Sequence, residues 1–237
     1  MTDAGRLDFR QFEALTFDCY GTLIDWETGM LRHLRPVLQR AANSVPDEAI
    51  LEAYGRHEAE LERGPFRRYR EVLGLAFARA CRDVGVEPSD DEVRDFSGSV
   101  GDWPAFPDST PSLTRLAERF RLGVITNCDD DLFAASNRRL GVTFDWIVTA
   151  EQVGGYKPDE RNFQVALERI GLARERILHV AQSLYHDIGP AKRLGLATVW
   201  IDRRRGWPGS GATPPATARP DVTAVDLASF ADLALAN

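Results

Sequence analysis

A chain of 237 residues that is 43% hydrophobic and 27% charged has the composition of a folded globular protein, long enough for one large core or a core with a smaller inserted unit. Its formal net charge of −7 supplies no electrostatic footprint for nucleic acid or for an anionic membrane. No apolar run approaches the roughly 20 residues of a spanning helix, and Cys19, Cys81 and Cys128 stand far apart without a CxxC pair, which argues against a disulfide framework and a structural zinc centre.

The polar start MTDAGRLDFRQFEA lacks the basic and apolar regions of a signal peptide, so a cytoplasmic location is expected. The first strand signal is Ala14 to Phe17, which stops at Asp18-Cys19-Tyr20-Gly21-Thr22. From about Trp26 to about Val100 there is no convincing strand, but helical runs recur, notably Ala49 to Arg63 and Tyr69 to Val84. This predicts a helical insert directly after the first strand. Gly98 to Gly101 and the proline-rich stretch from Pro104 to Pro111 mark the return. Leu113, Leu116 and Phe120 then recur at helical spacing before a second strand, Leu122 to Thr126. Further strands are expected at 144–148, 177–181 and 197–201, separated by helices at Leu132 to Leu140, Glu160 to Ile170 and Asp187 to Leu194. The Arg-, Gly- and Pro-rich segment from Arg203 to Pro220 reads as a surface loop before a last strand near Val222 and a closing helix. Strands and helices that alternate in this way form βαβ units, and hence an α/β protein with a parallel sheet covered on both faces.

In an open parallel sheet the ligand crevice lies outside the carboxyl ends of the strands. Polar groups fall at four such places: Asp18, Thr126-Asn127, Lys157, and the turn from Gln182-Ser183 to Asp187. Taken singly, each has an ordinary explanation as a cap, turn or solvated loop residue. Their recurrence at corresponding strand ends points to one shared site.

The segments FDCYGTL, VITNC, YKPD and AQSLYHD, in this order, resemble the four motifs of the haloacid dehalogenase superfamily. That resemblance implies a Rossmann-like parallel-sheet core, residues 1–25 and 104–237, with an inserted helical cap over 26–103. It also implies that Asp18 is a nucleophile. Phosphatases of the superfamily carry a second Asp two residues after the nucleophile and a magnesium-binding Asp in the fourth motif. Here Tyr20 and Gln182 stand there, which removes a general acid and a hard anionic ligand. Loss of a divalent charge near a phosphoryl group would forfeit up to about 8 kcal/mol at 4 Å and an effective dielectric of about 20. No metal and no other cofactor is therefore expected.

The DxYGT form of the first motif instead resembles the type II 2-haloacid dehalogenases. The resemblance implies attack of the Asp18 carboxylate on the α-carbon of a small 2-haloacid, followed by hydrolysis of the aspartyl ester. By the same resemblance Lys157 keeps Asp18 ionised, Asp187 positions or activates water, Thr126 holds the substrate carboxylate, and Asn127 helps bind the halide. Tyr20 and Ser183 join the binding wall, and Arg56 on a cap helix, next to His57, is the expected anion clamp. Departures from the type II pattern are Ala181-Gln182-Ser183 in the fourth motif and Phe163 where the third usually ends in Tyr. Trp26, Trp103 and Phe106 are expected to shape an apolar pocket at the cap junction. His179 reads as a hydrogen-bonded core residue, Cys19 as packing, and the arginines at 203–205 as solvated surface or a loop anion site. The expected partner is a small carboxylate, with a homodimer left open and neither nucleic acid nor membrane involved. Rival readings are ring opening of an activated acid such as azetidine-2-carboxylate, phosphatase activity on a small phosphomonoester, and a catalytically silent small-acid-binding relative.

Overall fold

Apolar runs buried on both faces become parallel strands when helices connect them. In the computed structural model, which describes residues 7–236, six such strands form one parallel sheet. They are β1 (Ala14–Phe17), β2 (Arg121–Thr126), β3 (Trp146–Thr149), β4 (Ile177–Ala181), β5 (Ala197–Ile201) and β6 (Val222–Ala224), in the spatial order β3-β2-β1-β4-β5-β6. Residues 1–6 and Asn237, which the sequence reading counted with the core, lie outside the described residues. The third strand begins two residues later than expected. Phe144 packs its ring 6.1 Å from that of Phe133, and the ladder with β2 starts only at Trp146.

Side chains alternate across the sheet. Leu15, Phe17, Leu122 and Val124 join the larger apolar cluster, which continues into the insert, while Ala14, Ile125 and Val148 pack against Phe163 and Ile170 on the other face. Between β1 and β2 come four helices and no strand: α1 (Trp26–Leu38), α2 (Asp47–Glu62), α3 (Tyr69–Asp83) and α4 (Asp90–Gly98). The remaining helices are α5 (Ser109–Ala117), α6 (Asp130–Leu140), α7 (Ala150–Val153), α8 (Arg161–Ile170), α9 (Gly189–Arg193) and α10 (Leu227–Leu235). The helix expected over 187–194 begins two residues later, at Gly189. A wide turn at Leu184–Ile188 precedes α9, with the Ser183 hydroxyl accepting a hydrogen bond from the His186 amide at 2.8 Å.

Two of the ties between the insert and the core bear on α1, α2 and α3. Asp129, buried at the end of the second motif, accepts hydrogen bonds from the Tyr69 and Arg70 amides at 2.9 and 3.0 Å and so caps α3. On the other side Arg204 bridges Glu27 of α1 and Glu48 of α2. Arg203 makes a double contact with Asp108 at 2.9 Å and donates to the Thr22 carbonyl. Neither arginine belongs to the solvated surface or loop anion site expected of this run, because each is neutralised by carboxylates on partly buried side chains.

Gly55 lets α2 settle directly on the loop at Ala212, where a Cβ would collide with the Ala212 carbonyl oxygen. In an open helix Gly to Ala gains about 1 kcal/mol; against backbone that cannot retract, overpacking costs about 1–3 kcal/mol. Gly55→Ala should therefore lower stability in chemical denaturation rather than raise it.

Candidate active site

Asp18 follows the last residue of β1, and its amide donates to the Val180 carbonyl of β4 at 3.1 Å. The carboxylate consequently emerges at the carboxyl edge, in the middle of the sheet. One oxygen, Oδ2, accepts from the Thr22 hydroxyl at 2.6 Å, and that hydroxyl is in turn fixed by the Gln182 amide at 2.9 Å. The other, Oδ1, accepts from Lys157 Nζ at 2.8 Å.

Lys157 is 1% exposed and uses all three ammonium protons: on Asp18, on Asp187 Oδ1 at 2.6 Å and on the Ile125 carbonyl at 2.8 Å. Burial alone would push its pKa down, but the charges of Asp18 and Asp187 outweigh it and hold the ammonium well above its ordinary range. Burial raises Asp18, against the pull of Lys157, because one ammonium serves two carboxylates. For Asp187, burial is outweighed by Lys157 and by a hydrogen bond with His179, which leaves it below the usual carboxylate range. His179 Nε2 lies 3.1 Å from Asp187, and its Nδ1 lies 2.9 Å from the Thr16 hydroxyl. The histidine is thus the hydrogen-bonded core residue that its strand position suggests. Asp187 Oδ2 is buried and has no protein partner.

A small cavity of about 40 Å³ opens beside Asp18, lined also by Tyr20, Trp26, Asn127, Lys157, Gln182, Ser183, His186 and Asp187. Of the expected residues, Asp18, Tyr20, Asn127, Lys157, Ser183 and Asp187 do come together. Thr126 stands behind the wall, fully buried with an unpartnered hydroxyl, so Asn127 is the group of this loop that reaches the cavity. Its side chain joins two motifs, Nδ2 donating to the Lys157 carbonyl at 2.9 Å and Oδ1 accepting from the Lys157 amide at 2.7 Å.

The insert supplies a wall of a different kind from the one expected. Arg56 points away, 65% exposed at its side chain and 3.5 Å from Asp83, and His57 pairs with the same carboxylate at 2.8 Å. Neither lines the cavity, so the anion clamp assigned to Arg56 is not there. The face of α2 turned towards Asp18 carries Glu58 and Glu62 instead, because Gly55 and the Arg204 bridge set the rotation of this helix. Nothing in the motif spacing reveals them; the available signal is a pair of acids one turn apart at the end of a helix with no basic residue in its last turn. Trp103 packs edge-on behind Tyr20, with ring centroids 5.7 Å apart, and Phe106 stacks under Arg203. Of the three aromatic residues expected, only Trp26 faces the cavity. Burial pushes the Cys19 thiol well up, as expected of packing rather than a nucleophile.

A magnesium ion, which phosphatases of the superfamily resemblance imply, does not fit these residues. The cation between Asp18 and Asp187 is the Lys157 ammonium. The place of the missing acid is held by the amide of Gln182, whose Oε1 faces Thr213 Oγ1 at 3.3 Å.

Residues 12–195 match the family model described as haloacid dehalogenase-like hydrolase. The chain belongs to this family. Among similar proteins of the family, an (S)-2-haloacid dehalogenase, H-109, from Pseudomonas putida is 24% identical over 213 residues, spanning 85% of this chain and 91% of that one. Haloacetate dehalogenase H-2 from a Moraxella species is 22% identical over 204 residues, covering 82% and 87%. The solved L-2-haloacid dehalogenase of Xanthobacter autotrophicus with chloropropionic acid covalently bound has a TM-score of 0.77 at 19% identity, covering 94% of this chain and 98% of that one. The hydrolase fold of the present chain is accordingly the α/β architecture with a helical cap.

His186 faces Glu62 across 3.9 Å, and its Nε2 is buried without a partner. Burial, with Lys157 nearby, pushes it down to about 4 in spite of the Asp187 charge. Below about pH 6.5 the unfolded chain takes up a proton that the folded one refuses, so this group makes stability fall as pH drops from 6.5 towards 4. The loss amounts to up to about 3 kcal/mol. His186→Gln should flatten the decline over that window, as read from denaturation midpoints at pH 7, 5.5 and 4.5.

Proposed function

We propose that the protein is a metal-independent hydrolase that displaces the leaving group at the α-carbon of a small carboxylic acid, a 2-haloacid, through an ester of Asp18, with residues 26–103 acting as the cap. One observation carries the reading. Asp18 is held at the cavity floor by Lys157 and Thr22, in a site where neither a second carboxylate after it nor a carboxylate at position 182 is present. That arrangement suits attack at carbon with a leaving group that departs as an anion. It offers little to phosphoryl transfer, which needs the charge of the transferred group neutralised. Names of the similar proteins agree with this substrate type.

In the first step an Asp18 oxygen attacks the α-carbon from behind, the carbon–halogen bond breaks, and the halide leaves with the bonding pair. Asn127, Ser183 and the ring of Tyr20 border the space in which this occurs. In the second step water attacks the Asp18 carbonyl carbon. Lys157 stabilises the developing oxyanion, while Asp187, with its free Oδ2, orients the water. The ester C–O bond then breaks, the departing α-oxygen takes one proton of the water, and the other passes to solvent as the hydroxy acid leaves and the Asp18 carboxylate returns.

An acidic cap wall would repel a carboxylate if both glutamates were ionised. Burial lifts Glu58 to about 7, against hydrogen bonds from the Tyr69 and Tyr54 hydroxyls at 2.8 and 3.0 Å. Glu62 is raised well above its ordinary range by burial and then by the charge of Glu58. The wall therefore carries less negative charge than two ordinary glutamates would, and the barrier to an anionic substrate falls.

With excess enzyme in heavy-oxygen water, the first turnover on 2-chloropropionate should give lactate whose new hydroxyl is unlabelled, the heavy oxygen remaining on Asp18. Asp18→Asn should release no chloride in a promptly assayed sample. A fully labelled first product would remove Asp18 as nucleophile.

Exhaustive chelation should leave the rate of halide release unchanged. Loss on chelation and recovery with magnesium would return the chain to the phosphatase reading.

A further inference from the structure

The core loop lacks a proton donor at the position after the nucleophile where phosphatases keep one. Tyr20 stands there, but its hydroxyl is turned away, 3.0 Å from Ser136 Oγ and accepting from Cys128 Sγ at 3.3 Å. Lys157 spends its three protons on Asp18, Asp187 and the Ile125 carbonyl. His186 is kept neutral by burial. On the opposite wall, Glu58 is held by the hydroxyls of Tyr54 and Tyr69. Glu62 is not: its two oxygens have only the Asn127 amide at 3.4 Å and His186 Nε2 at 3.9 Å, and its side chain is 6% exposed.

Its position on α2 is also unfavourable for a charge. Glu62 is the last helical residue, where the carbonyl end of the helix disfavours an anion, and it lies one turn from a second buried acid, Glu58. A helix that only needed to pack would place neither acid there.

We propose that Glu62 is a proton donor to the leaving group, so that the pocket accepts substrates whose departing atom is basic, such as fluoride, oxygen or nitrogen. This rests on the Asp18 displacement described above. As the Asp18 oxygen bonds to the α-carbon and the carbon–fluorine bond breaks, the fluoride takes the bonding pair and the Glu62 proton, leaving as hydrogen fluoride. Glu62 regains a proton from solvent water before the next turnover. Across the cycle one water replaces the halogen with hydroxyl and one acid is released. Burial, which raises Glu62, favours the proton-bearing form, with Glu58, His186, Asn127, Lys157 and Asp18 as the groups around it.

Two measurements test the assignment. In single turnovers, Glu62→Gln should lower the ratio of fluoride release from 2-fluoropropionate to bromide release from 2-bromopropionate by at least about 100-fold, the usual scale of general acid catalysis. An unchanged ratio overturns the proposal, since a merely structural loss affects both substrates alike. Infrared spectra at pH 7 should show a protonated carboxyl band that survives in Glu58→Gln and disappears in Glu62→Gln. If no such band is present, Glu62 holds no proton to give and the proposal fails. A wild-type enzyme that releases neither halide removes the haloacid reading instead, and the infrared band still decides the state of Glu62.

Discussion

One buried ammonium organises the molecule's chemistry. Lys157 lies between the carboxylates of Asp18 and Asp187 and is anchored by the Ile125 carbonyl, so a single charge joins the ends of β1 and β2 to the turn after β4. Three ions removed from water are costly unless the remaining donors and acceptors are satisfied. Here they nearly are, through Thr22, Gln182, His179 and Thr16. The exception is the bare Oδ2 of Asp187, an incompletely satisfied atom of the kind that active sites retain.

The second constraint is the seating of the insert. Asp129 caps α3 from the core, and the segment around Arg204 and Ala212 grips α1 and α2. These contacts, rather than the motifs, decide which face of α2 looks down on Asp18. Glu58 and Glu62 therefore line the Asp18 cavity by virtue of packing at Gly55. Tyr69 links the two constraints: its amide is held by Asp129 and its hydroxyl holds Glu58.

What could be read from the sequence follows from how local each signal is. The strands at 14–17, 177–181 and 197–201 declare themselves because a parallel strand buried on both faces is a short, nearly continuous apolar run. Asp18 follows β1 directly, and Lys157 and Asp187 lie in the connections that leave β3 and β4, where the topology brings them together. Arg56 misled because helical phase on the insert depends on tertiary contacts: a rotation of half a turn exchanges Arg56 for Glu58 and Glu62. Arg203 and Arg204 look like a solvated run because their acidic partners lie 95 to 177 residues away in sequence. The start of β3 differs because Phe144 packs on Phe133 instead of joining the ladder.

The insert also has a kinetic meaning. β1 lies at the centre of the sheet and is made before the other five strands, yet Ala14 pairs with Arg121 on one side and Ile177 on the other. Its neighbours arrive only after the whole helical unit has been made, and one of them after most of the chain. During synthesis at about 5–20 residues per second, β1 with its three apolar residues and the Asp18 loop remain without their sheet for many seconds. In that interval the strand is an open edge on both sides, the form most prone to pairing with another chain. An acidic chain with a net charge of −7 repels its own copies during this wait, which gives the excess of carboxylates a use before any substrate is met.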